Sequence, residues 1–400
     1  MKPRLLVLTS SFMRWKDDFA GGGHFVYMLS KSLRNTFDVF VLSPRSGKSK
    51  KEEVIDGLNI NRFNQFPLLN IELTKTEGIP SNLSRNKFLY FALPFYLLLQ
   101  YLAISRVVKS KKIDIIHAHW IIPQALLAVL FRKMTKSKVK IIATIHGSDF
   151  WGFNNKLGRR LKKYVFDNID ELTVVSTPLR DAVHEFGYKK EIYVYPMGID
   201  TSEFSPEIRD SKIRKELRIE GECLLFVGSC VEEKGIRFLI EAMPTIIREY
   251  PKAKLIVVGE GNIKSDMIKL SEKLLVKDSI IFTGIIANNQ LPEYYTNADL
   301  FILPSFSEGF PVSLMEAMSC GCIPICSDIH IFKSVLEEGK TGFIVELKSS
   351  KSISDKVISA LKSKEIEKIR NEVRSYAVEN FDWSIVSKNY ESILEKVLKG

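Results

Sequence analysis

The stretch from Asp299 to Asp328, DLFILPSFSEGFPVSLMEAMSCGCIPICSD, constrains the fold more than any other part of the chain. Leu300 to Leu303 is an apolar run of buried-strand length. Pro304-Ser305-Phe306-Ser307-Glu308-Gly309 then breaks it with residues that suit an irregular, ligand-accessible backbone. Pro311 fits the first turn of a helix, where a missing N–H costs nothing. Val312, Leu314, Met315, Ala317 and Met318 make that helix apolar, Gly321 ends it, and Ile323 to Cys326 reads as a second buried strand. Free N–H groups and the helix dipole face the loop, which favours an anion there. Glu308 in the loop and Glu316, the helix's sole charged residue, repel phosphate but accept hydrogen bonds from hydroxyls. A ligand carrying both a diphosphate and sugar hydroxyls satisfies the whole arrangement. The alternative is a capped, buried helix with one charge-paired Glu.

Glu308 and Glu316, with seven residues between them inside PSFSEGFPVSLMEAMSCGCIPI, resemble the signature of the retaining GT-B glycosyltransferases of family 4 (glycosyl transferases group 1). The resemblance runs through almost the whole chain, strongest from Cys223 to Val345. It implies two doubly wound, Rossmann-like α/β domains facing a cleft. Residues 1–200 would form the acceptor side and 201–381 the donor side, with a helix over 382–400 crossing back to the first domain. Glu308 would lie near the donor sugar, with Gly309, Phe310, Pro311 and Val312 beside it, and Glu316 would hold the ribose.

Four hundred residues, 45% of them hydrophobic, are enough for two cores. All five cysteines, Cys223, Cys230, Cys320, Cys322 and Cys326, lie in the second half, mostly on apolar segments, which suggests buried thiols in a cytoplasmic protein. Cys320, Cys322, Cys326 and His330 imitate a metal string, but they cross a helix end, a turn and a strand, so their side chains should diverge; no metal site is expected. MKPRLLVLTSSF reads as a first strand rather than a signal peptide. Charge is uneven. Met1 to Asp200 holds 31 Lys+Arg and 17 Asp+Glu, a net +14, against −3 for the remainder. With no nucleic-acid motif, that asymmetry points to an anionic membrane surface as partner, on the inner face of the cell membrane.

In the first half, Arg4 to Thr9 is strand-like and is followed by Gly21-Gly22-Gly23 at the mouth of a helical pattern from His24 to Leu33. Gly22 and Gly23 resemble the family's glycine loop, which faces the donor phosphates. Asp38 to Leu42 and Leu58 to Phe63 read as strands, Ser46 to Glu53 as a surface loop, and Asn64 to Asn86 has no clear period. Phe88 to Ile104 is the longest apolar run, interrupted by Pro94 and flanked by basic residues; full burial and partial exposure onto a bilayer are both open, and a true span is not expected. Ile113 to His117 and Val139 to Ile145 read as strands whose ends carry His117-Ala118-His119-Trp120 and His146-Gly147-Ser148-Asp149. Ligand crevices of open α/β sheets lie at such strand ends. The resemblance places His146 close to the reacting sugar, and His119, Trp120 and Asp149 on the acceptor side.

In the second half, Cys223 to Gly228 is a strand, and Glu232 to Lys234 precedes a helix through Ile247. The resemblance gives Lys234 the donor diphosphate. Most of the family has Arg directly after Gly228, where this chain has Ser229, which donates a hydrogen bond but carries no charge. Strands ending at Gly259 and Gly284 add two further donor-side loops. The function implied is metal-independent transfer of a hexosyl group from a nucleotide diphosphate sugar to a lipid-linked or glycan acceptor in cell-surface glycan synthesis, with no cofactor. The alternatives are a GT-B nucleotide-sugar epimerase and a non-catalytic nucleotide-sugar-binding homologue, the latter suggested by Ser229.

Overall fold

The computed structural model describes residues 2–15, 23–47, 49–66, 72–74, 79, 82, 86–208 and 212–400, the side chains of Phe88 and Ile208 excepted. Gly22, and most of the stretch from Asn64 to Asn86, lie outside the described residues. The chain forms two compact units. Unit 1 comprises Met1–Gly198 with Trp383–Gly400, and unit 2 comprises Ile199–Asp382.

Unit 1 is an eight-stranded sheet: β1 (Arg4–Leu8), β2 (Asp38–Pro44), β3 (Glu52–Ile55), β4 (Leu58–Phe63), β5 (Ile115–His119), β6 (Lys140–Ile145), β7 (Glu171–Val174) and β8 (Ile192–Val194). Their order is β3-β4-β2-β1-β5-β6-β7-β8, and only β3 runs antiparallel to its neighbour. Strands such as Leu5–Leu8 are wholly buried because helices cover both faces, which is why they read as unbroken apolar runs. The sequence missed β3, whose Glu52 and Val54 face outwards; a short edge strand with exposed charges has little apolar signal. Of the two strands that lead to the histidines, β5 runs to His119, two residues beyond the expected end, while β6 ends at Ile145 as expected.

The helices used below are α1 (His24–Ser32), α2 (Leu93–Lys111), α3 (Leu126–Thr135), α4 (Ser148–Trp151), α5 (Lys156–Phe166) and α6 (Thr177–Phe186). Pro94 does not interrupt the apolar run: it lies in the first turn of α2, where proline is tolerated. The helix is only partly buried. Tyr96, Gln100, Ile104, Val107 and Val108 face the core, while Phe95, Leu98 and Leu102 are exposed. The C-terminal helix Trp383–Lys399 belongs to unit 1, where buried Tyr390 donates to the Tyr195 carbonyl at 3.2 Å.

Unit 2 is a six-stranded, all-parallel sheet: β9 (Cys223–Val227), β10 (Lys254–Val258), β11 (Ile280–Gly284), β12 (Leu300–Leu303), β13 (Ile323–Ser327) and β14 (Phe343–Val345). Their order is β11-β10-β9-β12-β13-β14. The chain winds outward from β9 to β11, then returns to place β12 on the other side of β9. The switch point therefore lies between β9 and β12, and open α/β sheets bind ligands outside the strand ends at such a point.

Candidate active site

In unit 2 the loops after β9, β10, β11 and β12 are stitched into one rim. Gly228 donates its N–H to the Val258 carbonyl (3.0 Å), Cys230 to Glu260 (2.9 Å), Gly259 to Gly284 (2.8 Å) and Phe306 to Glu233 (2.7 Å). Two positions on this rim demand glycine. Gly259 has φ +136°, and a Cβ there would stand 1.9 Å from the Gly228 carbonyl oxygen. Gly235 has φ +65°, and a Cβ would stand 2.1 Å from the Pro304 oxygen. Side chains at either position would force the loops apart.

Lys234 and Glu308 come together on this rim. The Lys234 Nζ lies 2.6 Å from Glu308 Oε1, with the Glu308 side chain nearly buried and that of Lys234 a quarter exposed. Ser229 is exposed on the same loop after β9 that carries Lys234. After Gly309 and Phe310 the chain enters the helix Val312–Ser319, with Pro311 as its N-cap in extended backbone rather than as its first helical residue. No side chain caps that terminus. Phe310 packs edge-on against Phe381.

Glu316 is buried inside this helix, and its partner is a phenol, not a cation. Tyr295 donates its hydroxyl to Glu316 Oε2 at 2.8 Å. Burial pushes the Glu316 carboxyl up to about 7, and the Glu203 charge adds to the rise. The charge-paired alternative for Glu316 is thus not what the structure contains. Tyr295 was not identified from sequence, because nothing in Tyr294-Tyr295, both of them buried, marks the ring that reaches Glu316.

In unit 1 the ends of β5 and β6 bring three histidines into one stack. His119 Nδ1 and His146 Nε2 share a hydrogen bond of 3.0 Å with their rings nearly parallel, and His117 Nε2 bonds to Thr144 Oγ1 at 2.7 Å. Thr144 continues to Thr173 Oγ1 at 2.6 Å. Burial holds His117 and His146 down to about 3, and His119 well below its ordinary value, so all three are neutral imidazoles. Trp120 and Phe25 each place a ring about 5.0 Å from that of His146. Gly23, at φ +70°, starts α1 within the same unit; a Cβ there would stand 2.2 Å from the Ser11 oxygen.

Asp149 is a bracket between the two loops. Its Oδ1 accepts from the N–H groups of His146 and Gly147 (3.1 Å each), and its Oδ2 accepts from Ile121 N–H (2.9 Å). Burial raises its carboxyl to about 6, opposed by those backbone bonds. The adjoining Lys162 is fully buried and donates to the carbonyls of Phe150 and, at 2.7 Å, Gly152. Neither the threonine relay nor Lys162 carried a sequence signal. Among the described residues no group of three or more His, Cys, Asp or Glu is placed to hold a metal, and all five cysteines are free and buried.

Residues 209–379 match the family model "Glycosyl transferases group 1", and residues 19–203 match "Glycosyltransferase Family 4". The chain belongs to the group 1 glycosyltransferases. This glycosyltransferase is 28% identical over 343 residues to N-acetyl-alpha-D-glucosaminyl L-malate synthase of Bacillus anthracis, covering 81% of this chain and 88% of that one. It is 28% identical over 249 residues to the GDP-mannose-dependent alpha-(1-6)-phosphatidylinositol monomannoside mannosyltransferase of Mycobacterium tuberculosis, covering 60% of this chain and 64% of that one. In fold it is similar to Anabaena Alr3699/HepE, solved in complex with UDP, with TM-score 0.77, 15% identity and coverage of 98% and 100%. The glycosyltransferase fold is GT-B.

Proposed function

We propose that this glycosyltransferase moves a hexosyl group from a nucleotide diphosphate sugar to a hydroxyl of a lipid-linked or glycan acceptor, with retention of anomeric configuration and without a metal. One observation carries the reading: Lys234 and Glu308 arrive from two different loops at the switch point of unit 2 and place a cation and a carboxylate side by side. A diphosphate needs the first, and the hydroxyls of a sugar attached to it need the second. Glu316, one helix turn further in, supplies a second carboxylate for the ribose.

On this reading the acceptor oxygen bonds to the anomeric carbon on the face from which the nucleoside diphosphate departs, and the hydroxyl proton passes to an oxygen of that departing phosphate. Lys234 and the loop N–H groups stabilise the charge that grows on that phosphate. Glu308 orients the donor sugar and forms no covalent intermediate. His146, held neutral by its burial, serves as a hydrogen-bonding partner of a sugar hydroxyl rather than as a cation. The relatives support the choice of substrates: one is named for a GDP-mannose donor and a phosphatidylinositol mannoside, and a structural neighbour is titled with UDP. Five free, buried thiols suit the reducing cytoplasm, where we place the reaction.

The test is a thermal-shift screen of nucleotide diphosphate sugars, followed by NMR of the product's anomeric proton with chelator present. A stabilising donor and a product of retained configuration are expected. Activity that vanishes with chelator and returns with manganese or magnesium would overturn metal independence, and an inverted product would overturn the same-face mechanism.

A further inference from the structure

The charge of unit 1 is concentrated in one run. Lys87 to Lys163 holds 15 Lys+Arg and only two acidic residues, Asp114 and Asp149. This run builds α2, α3 and α5. They lie on one face of the sheet because successive parallel strands, β4 to β5 to β6 to β7, are joined by right-handed crossovers. The helices form one layer, with α3 packed against both α2 and α5.

The outer side of that layer is apolar and basic together. Phe91, Phe95, Leu98 and Leu102, spaced by four, three and four residues, make one stripe 45–75% exposed, and Arg106 and Lys109 continue it. On α5, Lys156, Arg160 and Lys163 form an exposed stripe, while Lys162 and Val165 on the opposite side are buried. At the start of α5 the exposed Trp151, Phe153 and Leu157 stand together in sequence. Lys162 holds the carbonyls of Phe150 and Gly152 from beneath, so the loop presenting those rings is fixed by the core. Among the described residues, Lys109, Lys156, Arg160 and Lys163 form no ion pair.

We propose that this helical face docks on an anionic lipid bilayer. A solvated face explains the lysines but not a continuous stripe of large apolar side chains beside them. A nucleic-acid surface explains the charge but not Phe91, Leu98 and Leu102. An interfacial surface needs both: apolar groups at headgroup depth and cations facing anionic lipid. Aromatic Trp151 and Phe153 suit the headgroup level. α2 docks without spanning, because its other side packs into the core through Tyr96, Ile104 and Val108. The N-termini of α2 and α5 stand at the strand edge that carries His119 and His146, so a docked unit 1 brings that edge to the lipid. The consequence that the acceptor is lipid-linked rests on the function proposed above; the docking does not.

Flotation of the full chain with vesicles, no donor present, tests the docking. Phosphatidylcholine vesicles mixed with phosphatidylglycerol are expected to retain the protein at low salt, and pure phosphatidylcholine far less. Added salt should weaken retention and leave a remainder. K156Q/R160Q/K163Q should weaken binding to the anionic vesicles at least about tenfold, and L98Q/L102Q should remove the salt-resistant remainder. All these positions are exposed, and matching melting curves confirm that the variants fold. Negligible retention on both vesicle types, or retention unchanged by both variants, would overturn the proposal. So would capture by duplex RNA with none by vesicles. Because no turnover is measured, failure here leaves the sugar-transfer reading standing with a soluble acceptor.

Discussion

Lys234 and Glu308 lie 74 residues apart in the chain and 2.6 Å apart in unit 2. The pairing follows from topology: β9 and β12 are neighbours at the point where the winding reverses, so the loops that follow them meet. With Ser229 in place of a second cation, Lys234 is the cation that the β9 loop offers to a diphosphate.

Lys234→Ala should therefore reduce kcat by about a hundredfold or more, the size of effect seen when one charge-stabilising donor is removed. Because the change also leaves the nearly buried Glu308 carboxylate without its cation, the melting temperature should fall as well. Ser229→Arg, which restores a cation to the β9 loop, should recover part of the loss in the double variant. Steady-state kinetics on the single and double variants check both points. Near-normal turnover in Lys234→Ala would move the phosphate contact elsewhere.

Glu316 ties donor affinity to pH. Its folded value of about 7 lies above its ordinary 4.5, so the native state holds this proton more tightly than the unfolded chain does. Its contribution to stability falls as pH rises from about 4.5 to 7 and is flat beyond. Donor affinity runs the other way, because only the ionised carboxylate accepts from both ribose hydroxyls. Calorimetric titration should show tighter nucleotide binding as pH rises through 7. Tyr295→Phe removes the hydrogen bond that favours ionisation and should move that midpoint upward. Glu316→Gln should cost about 1.5–3 kcal/mol of nucleotide binding at alkaline pH and abolish the dependence. A pH profile unaffected by Glu316→Gln would remove this residue from the site.

Glu308 and Glu316 stood out because they share one local strand–loop–helix, and Lys234 because it precedes a second helix where the family resemblance expects a cation. That Lys234 meets Glu308 across 74 residues was not legible, whereas the buried parallel strands were, as unbroken apolar runs. The partners were not. Tyr295 reaches Glu316 across 21 residues, and Lys162 reaches the Phe150 and Gly152 carbonyls only because α5 folds back under the loop. β3 escaped notice because an edge strand with outward Glu52 and Val54 looks like a loop. The apolar run at α2 announced its length but not its division into a buried side and an exposed side, which depends on what packs against it.

Gly259→Ala tests the stitched rim directly. The new Cβ would fall 1.9 Å from the Gly228 oxygen at a φ of +136°, so both the β9 and β10 loops must move. A destabilisation of at least about 1–3 kcal/mol is expected from the backbone strain, together with loss of donor binding. Chemical denaturation and a donor thermal shift measure the two. Gly187→Ala, at φ +114° but with nothing within 4 Å of the new Cβ, isolates the conformational cost without the collision. Equal losses in the two variants would mean that close loop approach adds nothing.

The histidine stack should make unit 1 sensitive to acid. His117 and His146 are held near 3, and His119 well below its ordinary 6.5, chiefly by burial. Between about 3 and 6.5 the unfolded chain takes up protons that native His117 and His146 refuse, and His119 acts in the same direction. The stability these groups contribute is therefore fully present above 6.5 and lost as pH falls through that window, by about 1.4 kcal/mol per pH unit for each histidine fully in it. Asp149 acts in the opposite direction, because its folded value of about 6 exceeds its ordinary 3.8, and protonating it returns part of the loss between those values. Three histidines against one carboxyl leave a net loss in acid. His117→Gln keeps a hydrogen-bonding group toward Thr144 without a titrating ring, so it should remove about one proton from the slope of unfolding free energy against pH. Denaturant unfolding followed by tryptophan fluorescence across the acid range measures that slope, and a slope equal to that of the unmodified protein would show that His117 is not held neutral in the native state.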